Sequence, residues 1–419
     1  MSTSSKKPLD VTTRHCSEHR HKAHKHTRDG KKKKKKTKET TKPKLKLEVE
    51  EANKSLYMCI LEHGTNWAAY VVRTIKLSDL LSSSAVGDDP LPLRQVAYEA
   101  GSHLPGSVGC GVWGSQIVFT GGVTPSSPHG FRNIGPDSVW HTNVYAFETH
   151  TNEIRKLDAN LQGGKLYPLT VELGGKLYAL SYRLVGHPPS FEVFDPKIGK
   201  WEGLPQPPFF QVGSPYYEHA SFSYAIAGTK IFASHEECPV FCFDVAHPDR
   251  DWRLVSTMCR GGPFPFDNKV ALVLDLQGDD DKKIMFAYSH EPWRLWVYLM
   301  SLSENQEIIT KIGDLRMPLL PDEFGLPQRC EFLHIGGQKA CLVVTEIGVR
   351  AEDAPAYNEL GTHKRHGAVI PFQFEVDITK VDKDKKNCLA LQFMPLRSFE
   401  YHTNPPTLPE PETVGCFLL

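Results

Sequence analysis

Residues 174–204 read GGKLYALSYRLVGHPPSFEVFDPKIGKWEGL. Gly174-Gly175 makes a tight turn, because glycine adopts the positive φ that short hairpins need. An apolar strand follows, Leu177 to Ser181, and a loop leads to a second strand, Phe191 to Phe194. Asp195-Pro196 breaks that strand, and Trp201 falls seven residues after Phe194. A lone hairpin of this kind proves little, so its weight depends on repetition.

The pattern recurs. Two strands meet at a tight turn in 108–122, 170–181, 221–234, 271–289 and 330–346. Gly114, Gly174-Gly175, Gly228, the Gly278–Asp281 run and Gly336-Gly337 sit at the tips. A third strand follows each hairpin, at 143–148, 191–195, 240–244, 295–300 and 371–377. In three units an acidic residue closes that strand, and a fourth strand begins at Ile154, Trp201 or Trp252. The third-strand anchors Phe147, Phe194, Phe243, Tyr298 and Phe374 are separated by 47, 49, 55 and 76 residues, the last stretched by a loop at 347–368. A four-stranded unit repeating at about 50 residues is the signature of a propeller blade. One such sheet cannot bury both faces, whereas radial packing buries them between neighbours.

The ends supply a sixth unit. Strands at 55–61, 68–77 and 94–99 precede the first full unit, and 388–393 gives the last unit its fourth strand. The strand completing the first sheet is left between two candidates, Lys44 to Glu50 and Arg397 to Tyr401; 395–419 reads as too Pro-rich to add strands. Helical periodicity is nearly absent, with 77–84 the best short candidate. The expected fold is therefore all-β, a six-bladed β-propeller over 48–401. A disordered Lys/His-rich arm, 1–47, precedes it, and a Pro-rich tail, 402–419, follows.

The units resemble kelch repeats, which combine an apolar strand, a diglycine, an aromatic strand and a tryptophan. The match spans about residues 55–400 and is best at 170–207, with Phe194, Asp195, Pro196 and Trp201 in place. In the preceding unit Gly121-Gly122 follows the second strand, but Ile154 replaces the tryptophan. Trp252 is displaced by two residues, and later units lack the diglycine after the second strand. This degeneracy is similar to that of plant kelch-like proteins. Many of those carry an F-box, for which residues 1–54 offer no apolar helical pattern. The resemblance implies a fold more than an activity. The kelch fold also houses a copper oxidase of the galactose-oxidase kind, but no motif here maps its ligands.

Charge is unevenly placed. The chain holds 49 Lys/Arg and 49 Asp/Glu; residues 1–47 take 17 and 4 of them, leaving an acidic body with 32 and 45. Lys31, Lys32, Lys33, Lys34, Lys35 and Lys36 form an unbroken run. It reads as a nuclear-import signal, with contact to nucleic acid or another acidic surface as the alternative. His15, Cys16, His19, His21, His24 and His26 lack a scaffold that would make them a metal site, and no metal or cofactor is expected. The start, MSTSSKKPLD, has no apolar core of a signal peptide, and no window has the 18 apolar residues of a membrane helix. The ten cysteines are scattered and expected to be reduced, in a nuclear or cytoplasmic protein. Cys238 and Cys242 lack a second pair at zinc spacing and read as residues flanking a strand start.

Enzyme signatures are not found: no Gly-x-Ser-x-Gly, phosphate-binding loop, His-Glu-x-x-His or dinucleotide fingerprint occurs. No catalytic residue is assigned. The loops joining second and third strands offer a binding face instead. They carry Arg132, Trp140, His141, Arg183, His187, His235, Glu236, His290, Trp293, Arg294, Arg350 and Lys364. Loops on a rigid scaffold are where recognition sits, and Trp and Arg favour interface hot spots. The chain ends Cys416-Phe417-Leu418-Leu419, which fits a prenylation box whose final leucine favours geranylgeranyl. One lipid plus a polybasic arm would attach the protein to a membrane. The expected function is non-catalytic: an adaptor or scaffold that binds a protein partner through one propeller face. The rivals are an enzyme with a site on the axis and a nucleic-acid-associated protein acting through its arm.

Overall fold

Runs of β-branched and aromatic residues, punctuated by glycine and proline, leave the backbone little but strands to form. The computed structural model describes residues 54–63, 67–82, 90–124, 138–182, 188–211, 222–235, 238–266, 270–276, 279–289, 293–303, 306–320, 329–345, 363–381, 388–403 and 411–419. One compact unit spans Lys46–Leu419. It is all-β and propeller-like. Its helical segments include α1 (Leu77–Leu81), within the short candidate 77–84, and α2 (Ile378–Val381).

The strands follow one another as antiparallel four-stranded meanders. The first sheet holds β1 (Ser55–His63), β2 (Ala68–Lys76) and β3 (Arg94–Gly101), with β27 (Glu412–Leu418) on the free edge of β1. The second is β4 (Gly109–Trp113), β5 (Gln116–Thr120), β8 (Val144–Glu148) and β9 (Glu153–Lys156), with a small ribbon, β6 (Val123–Thr124) and β7 (Val139–Trp140), in its middle connection. The third is β10 (Leu169–Leu173), β11 (Lys176–Leu180), β12 (Phe191–Asp195) and β13 (Lys200–Gly203). The fourth is β14 (Ser223–Ala227), β15 (Lys230–His235), β16 (Cys238–Asp244) and β17 (Arg253–Leu254). The fifth is β18 (Val270–Leu276), β19 (Asp279–Ser289), β20 (Arg294–Ser303) and β21 (Gln306–Arg316). The sixth is β22 (Arg329–Gly336), β23 (Lys339–Thr345), β24 (His363–Val376) and β25 (Leu389–Phe393), with β26 (Arg397–Thr403) also on β24. A short parallel pairing, Tyr224 opposite Val270, joins β14 to β18.

The stretch 174–204 forms as its residues dictate. Leu173 pairs with Lys176 across Gly174 and Gly175, whose φ values are 58° and 75°. Both are positive, as a two-residue hairpin turn demands. Trp201 lies opposite Phe194, with ring centroids 5.6 Å apart, and is buried. Asp195 caps the next turn by accepting the Lys197 N–H at 2.9 Å.

Side chains alternate across each sheet, so every inner sheet face needs a neighbour. One core lies between the first and second sheets, around Tyr70, Phe119 and Phe147. Val118 and Trp201 mark that between the second and third, Phe191 and Tyr224 the next, and Phe232 and Met285 the one after. Phe286 and Phe372 fill the space between the fifth and sixth. The last core joins the sixth back to the first, with Val343 and Val369 against Met58 and Ile60.

The C-terminus departs from the sequence expectation. Residues 412–418 are a strand, not a free tail, and this strand completes the first sheet. Of the two candidates read from sequence, Arg397 to Tyr401 belongs to β26, and Lys44 to Glu50 lies outside the described residues. The prolines stop at Pro411, and Glu412 to Leu419 is free of them. Cys59 pairs with Gly415 and Ile60 with Thr413, so Val414 is the extra residue of a bulge. The bulge lets Val414 enter the core between the first and second sheets while Cys416 enters that between the sixth and first.

The fourth and fifth sheets are also held by charge. Lys230 Nζ sits 2.9 Å from Glu307 Oε1, and the Arg253 guanidinium donates to the same oxygen. Thr257 Oγ1 donates to the Glu307 carbonyl at 2.7 Å. Burial alone would raise the Glu307 carboxyl, but hydrogen bonds from Arg253 and Lys230 hold it below its ordinary value of 4.5. A depressed carboxyl stabilises the fold above its unfolded pKa, and that contribution is lost as pH falls through the folded one. Urea midpoints measured from pH 6 downward are therefore expected to drop as pH falls below about 4.5, and Glu307→Gln is expected to flatten part of that acid slope.

Candidate functional site

The innermost strand of each meander borders a cavity of about 430 Å³. Its wall includes Cys110 of β4, Leu169 of β10, Ile226 of β14, Leu272 of β18, Leu333 of β22 and Gly415 of β27. Most lining side chains are apolar or small, and the polar ones have partners. Thr170 Oγ1 lies 2.6 Å from Thr120 Oγ1, Glu172 Oε2 accepts the Gly114 N–H at 2.8 Å, and Glu331 Oε1 is 3.9 Å from Arg329 Nε. Arg329 in turn is paired with Glu412 of β27.

A second cavity, about 660 Å³, shares Ile226 and Val273 with the first and lies by the hairpin tips Gly228 and Gly337. Asp275, His334 and Gln338 supply polar groups to it. Asp275 is bound to Lys283 at 2.7 Å, and the His334 ring lies 3.0 Å from the Gly337 carbonyl. Among the described residues no three His, Cys, Asp or Glu side chains are grouped to hold a metal ion.

The connections between second and third strands leave each meander at the end opposite its first hairpin tip; of the residues marked from sequence, Trp140, His141 and Trp293 lie in them, whereas Arg294 opens β20 and Lys364 lies inside β24, opposite His402 of β26. Trp140, in β7, packs against Val123 and Leu166. His141 Nε2 is 2.8 Å from Thr124 Oγ1, and the His141 backbone N–H donates to Gly122 O at 3.0 Å. Burial, then the nearby Lys156 charge, pushes the His141 pKa down from its ordinary value. Trp293 donates from Nε1 to Pro318 O at 3.4 Å, and Arg294 is paired with Asp314. Lys364 Nζ is 2.6 Å from Glu400 Oε1. His235 ends β15. Arg132, Arg183, His187, Glu236, His290, Arg350 and Lys31 to Lys36 lie outside the described residues.

Cys416 does not sit on an accessible tail. It is buried in β27 opposite Met58, and burial pushes its thiol well up. Prenylation there would require the strand to leave its sheet, so the accessible-tail reading of Cys416 is withdrawn. Cys238 opens β16 and Cys242 lies within it; burial raises the Cys242 thiol to about 12, as expected of inert core cysteines. The nine described cysteines are free thiols.

Sequence reasoning missed one buried centre beside this face. Lys165 and Glu192 form an ion pair with both side chains at 0% exposure. Lys165 Nζ also donates to Pro189 O at 2.7 Å, while Glu192 accepts the N–H groups of Gln162 at 2.7 Å and Gly163 at 2.9 Å. The pair thus ties the link before β10 to the connection before β12. Burial drives the Lys165 pKa down, and Glu192 opposes that. Two residues near this link hold left-handed backbone: Ser107 at φ 55° and Tyr167 at φ 44°, joined by Tyr167 N–H to Ser107 O at 2.8 Å. Such conformations cost about 1–3 kcal/mol each and persist where the surroundings impose them. In QGGKLY nothing marks Lys165 as buried; only its neighbours in space do.

No helix among the described residues is long and apolar enough to cross a membrane. Solved structures that align with the chain include YjhT, at 12% identity and a TM-score of 0.39, over 80% of this chain and 97% of that one. Another is a putative 6-phosphogluconolactonase from Bacteroides uniformis, at 11% identity and a TM-score of 0.40, over 88% and 100%. A protein from Lactobacillus plantarum aligns at 10% identity and a TM-score of 0.39, over 88% and 99%. Likenesses this distant carry nothing about activity. No curated protein matches the chain. A family profile described as a protein of unknown function, DUF1668, matches residues 53–388. The chain therefore belongs to the DUF1668 family.

Proposed function

We propose that this protein is a six-bladed propeller of the kelch type and serves as a non-catalytic adaptor. In this reading it binds a protein partner through the face formed by the second-to-third connections. The blade count is supported by six consecutive cores, the last of which returns to the first sheet. Kelch character is supported by Gly121-Gly122 after β5 and by the Phe194–Trp201 pair.

The axial cavity carries the functional reading. In a propeller enzyme the axis is where reacting groups converge; here the wall is mainly apolar, and its carboxylates Glu172 and Glu331 face a backbone N–H and Arg329. The connection face, by contrast, offers Arg294 and Lys364 with side chains 39% and 49% exposed.

Affinity purification tests the proposal. Three baits are compared: the full chain, residues 48–419 (retaining β27), and the full chain carrying Arg294→Glu and Lys364→Glu. Exposed ion pairs contribute about 0–1 kcal/mol, and each new carboxylate faces Asp314 or Glu400, so the double variant is expected to fold and to melt slightly below the parent. Partners should be retained by 48–419 and lost from the double variant. Partners that depend on residues 1–47 and elute with salt would favour the nucleic-acid or acidic-surface reading instead. Turnover of a small molecule, abolished by Glu172→Gln or Glu331→Gln, would favour the enzyme.

A further inference from the structure

Two cysteines of different sheets meet beside the axial cavity. Cys59 of β1 lies directly opposite Gly415 of β27, so both Cα–Cβ directions leave the same face of the first sheet. That face packs on the second sheet, and Cys59 belongs to the core between them, with Cys110 packed against it. A Cβ placed on Gly415 would lie 3.3 Å from the Cys110 Cβ. Directly opposite residues have Cβ atoms about 4.5–5.5 Å apart, so Cys59 and Cys110 are near neighbours across the bare glycine. The two thiols are close enough to interact: after burial, Cys110 is the next cause that raises the Cys59 thiol. The two are unequal in access. Cys59 is fully buried, whereas Cys110 is half-buried and forms part of the cavity wall.

We propose that Cys110 and Cys59 are a peroxide-reactive thiol pair that closes to a disulfide between β1 and β4. The chemistry takes hydrogen peroxide as oxidant. The Cys110 sulfur attacks one peroxide oxygen, the O–O bond breaks, and the departing hydroxide takes the thiol proton to leave as water. Cys110 is then a sulfenic acid. The Cys59 sulfur attacks the Cys110 sulfur; the S–S bond forms, the S–O bond breaks, and the oxygen leaves as a second water with the Cys59 proton. Two thiols are oxidised to one disulfide, and one peroxide is reduced to two waters. Order follows from access, since the sulfur on the cavity wall meets the oxidant first. Burial, which raises the Cys59 thiol, makes it the slower of the two toward peroxide.

The test is a non-reducing peptide map of the full chain, folded, after limited hydrogen peroxide. A linked peptide pair containing Cys59 and Cys110 is expected before any other cysteine oxidises. Dimedone added to Cys59→Ser is expected to trap a sulfenic acid at Cys110, and Cys110→Ser is expected to abolish the link. A first disulfide between any other pair, sulfenic acid formed elsewhere first, or cysteines that resist peroxide until the fold is unfolded in urea would overturn the proposal. The map of the unmutated chain decides this by itself if either serine variant fails to fold.

Discussion

Removing residues 411–419 is expected to abolish cooperative folding. β27 supplies the first sheet with its fourth strand, and its loss strips the edge of β1 of hydrogen-bond partners from Leu56 to Leu61. Unpaired backbone is costly away from water, and an exposed apolar edge pairs with other chains. The same deletion removes Val414 from one core and Cys416 from the next. A buried valine alone contributes about 1.5–3 kcal/mol, against a net stability of about 5–15 kcal/mol for a whole domain. The truncated chain should be largely insoluble and show no sharp thermal transition by circular dichroism. A graded version is available in Gly415→Val, whose Cβ would meet the Phe417 ring at 2.7 Å and Cys110 at 3.3 Å. Overpacking of this kind costs about 1–3 kcal/mol, so that variant should fold with a lowered urea midpoint.

Lys165→Ala is expected to cost about 3–5 kcal/mol, because it leaves the Glu192 carboxylate buried beside no cation. Both side chains are fully buried, so solvent cannot replace the lost partner. Glu192→Ala strands more groups: the Lys165 ammonium and the N–H groups of Gln162 and Gly163. Glu192→Gln keeps an acceptor for one of those N–H groups and should fall between Glu192→Ala and the parent. Replacing both partners with apolar residues, as in Lys165→Met with Glu192→Leu, removes the unpaired charge but not the unpaired N–H groups. Its midpoint should lie above that of Lys165→Ala and below the parent. Urea titrations of these variants give the ordering, and if Lys165→Met and Glu192→Leu made singly add up to the double variant, the pair would not be coupled.

Local signals made most of the fold readable. Apolar and aromatic runs placed the strands, and glycine at Gly114, Gly174, Gly175 and Gly228 marked hairpin tips that do hold positive φ. Phe194 and Trp201 were legible as a pair because one short turn fixes their register. β27 was not legible, since its partner β1 stands at the other end of the chain and four prolines precede it between Pro405 and Pro411. Lys165 and Glu192 are 27 residues apart, and each read alone is an ordinary charged residue. The connection residues were legible only as a class. Trp140 and Trp293 pack half-buried against their surroundings, while Arg294 and Lys364 engage a carboxylate yet keep much of their surface exposed. Packing and pairing distinguish these roles, and neither is written in spacing.

Ring closure by the C-terminal strand underlies the cores, the axial cavity and the thiol pair alike. Amide hydrogen exchange on the full native chain reads it out. The amides of 412–418 that point at β1 should be protected to the same degree as those of 55–63, because Ser55 and Leu419 exchange backbone hydrogen bonds at 2.7 and 3.1 Å and β27 is paired along β1. Free exchange of 412–418 beside a protected β1 would contradict it, and would return Cys416 to an accessible tail.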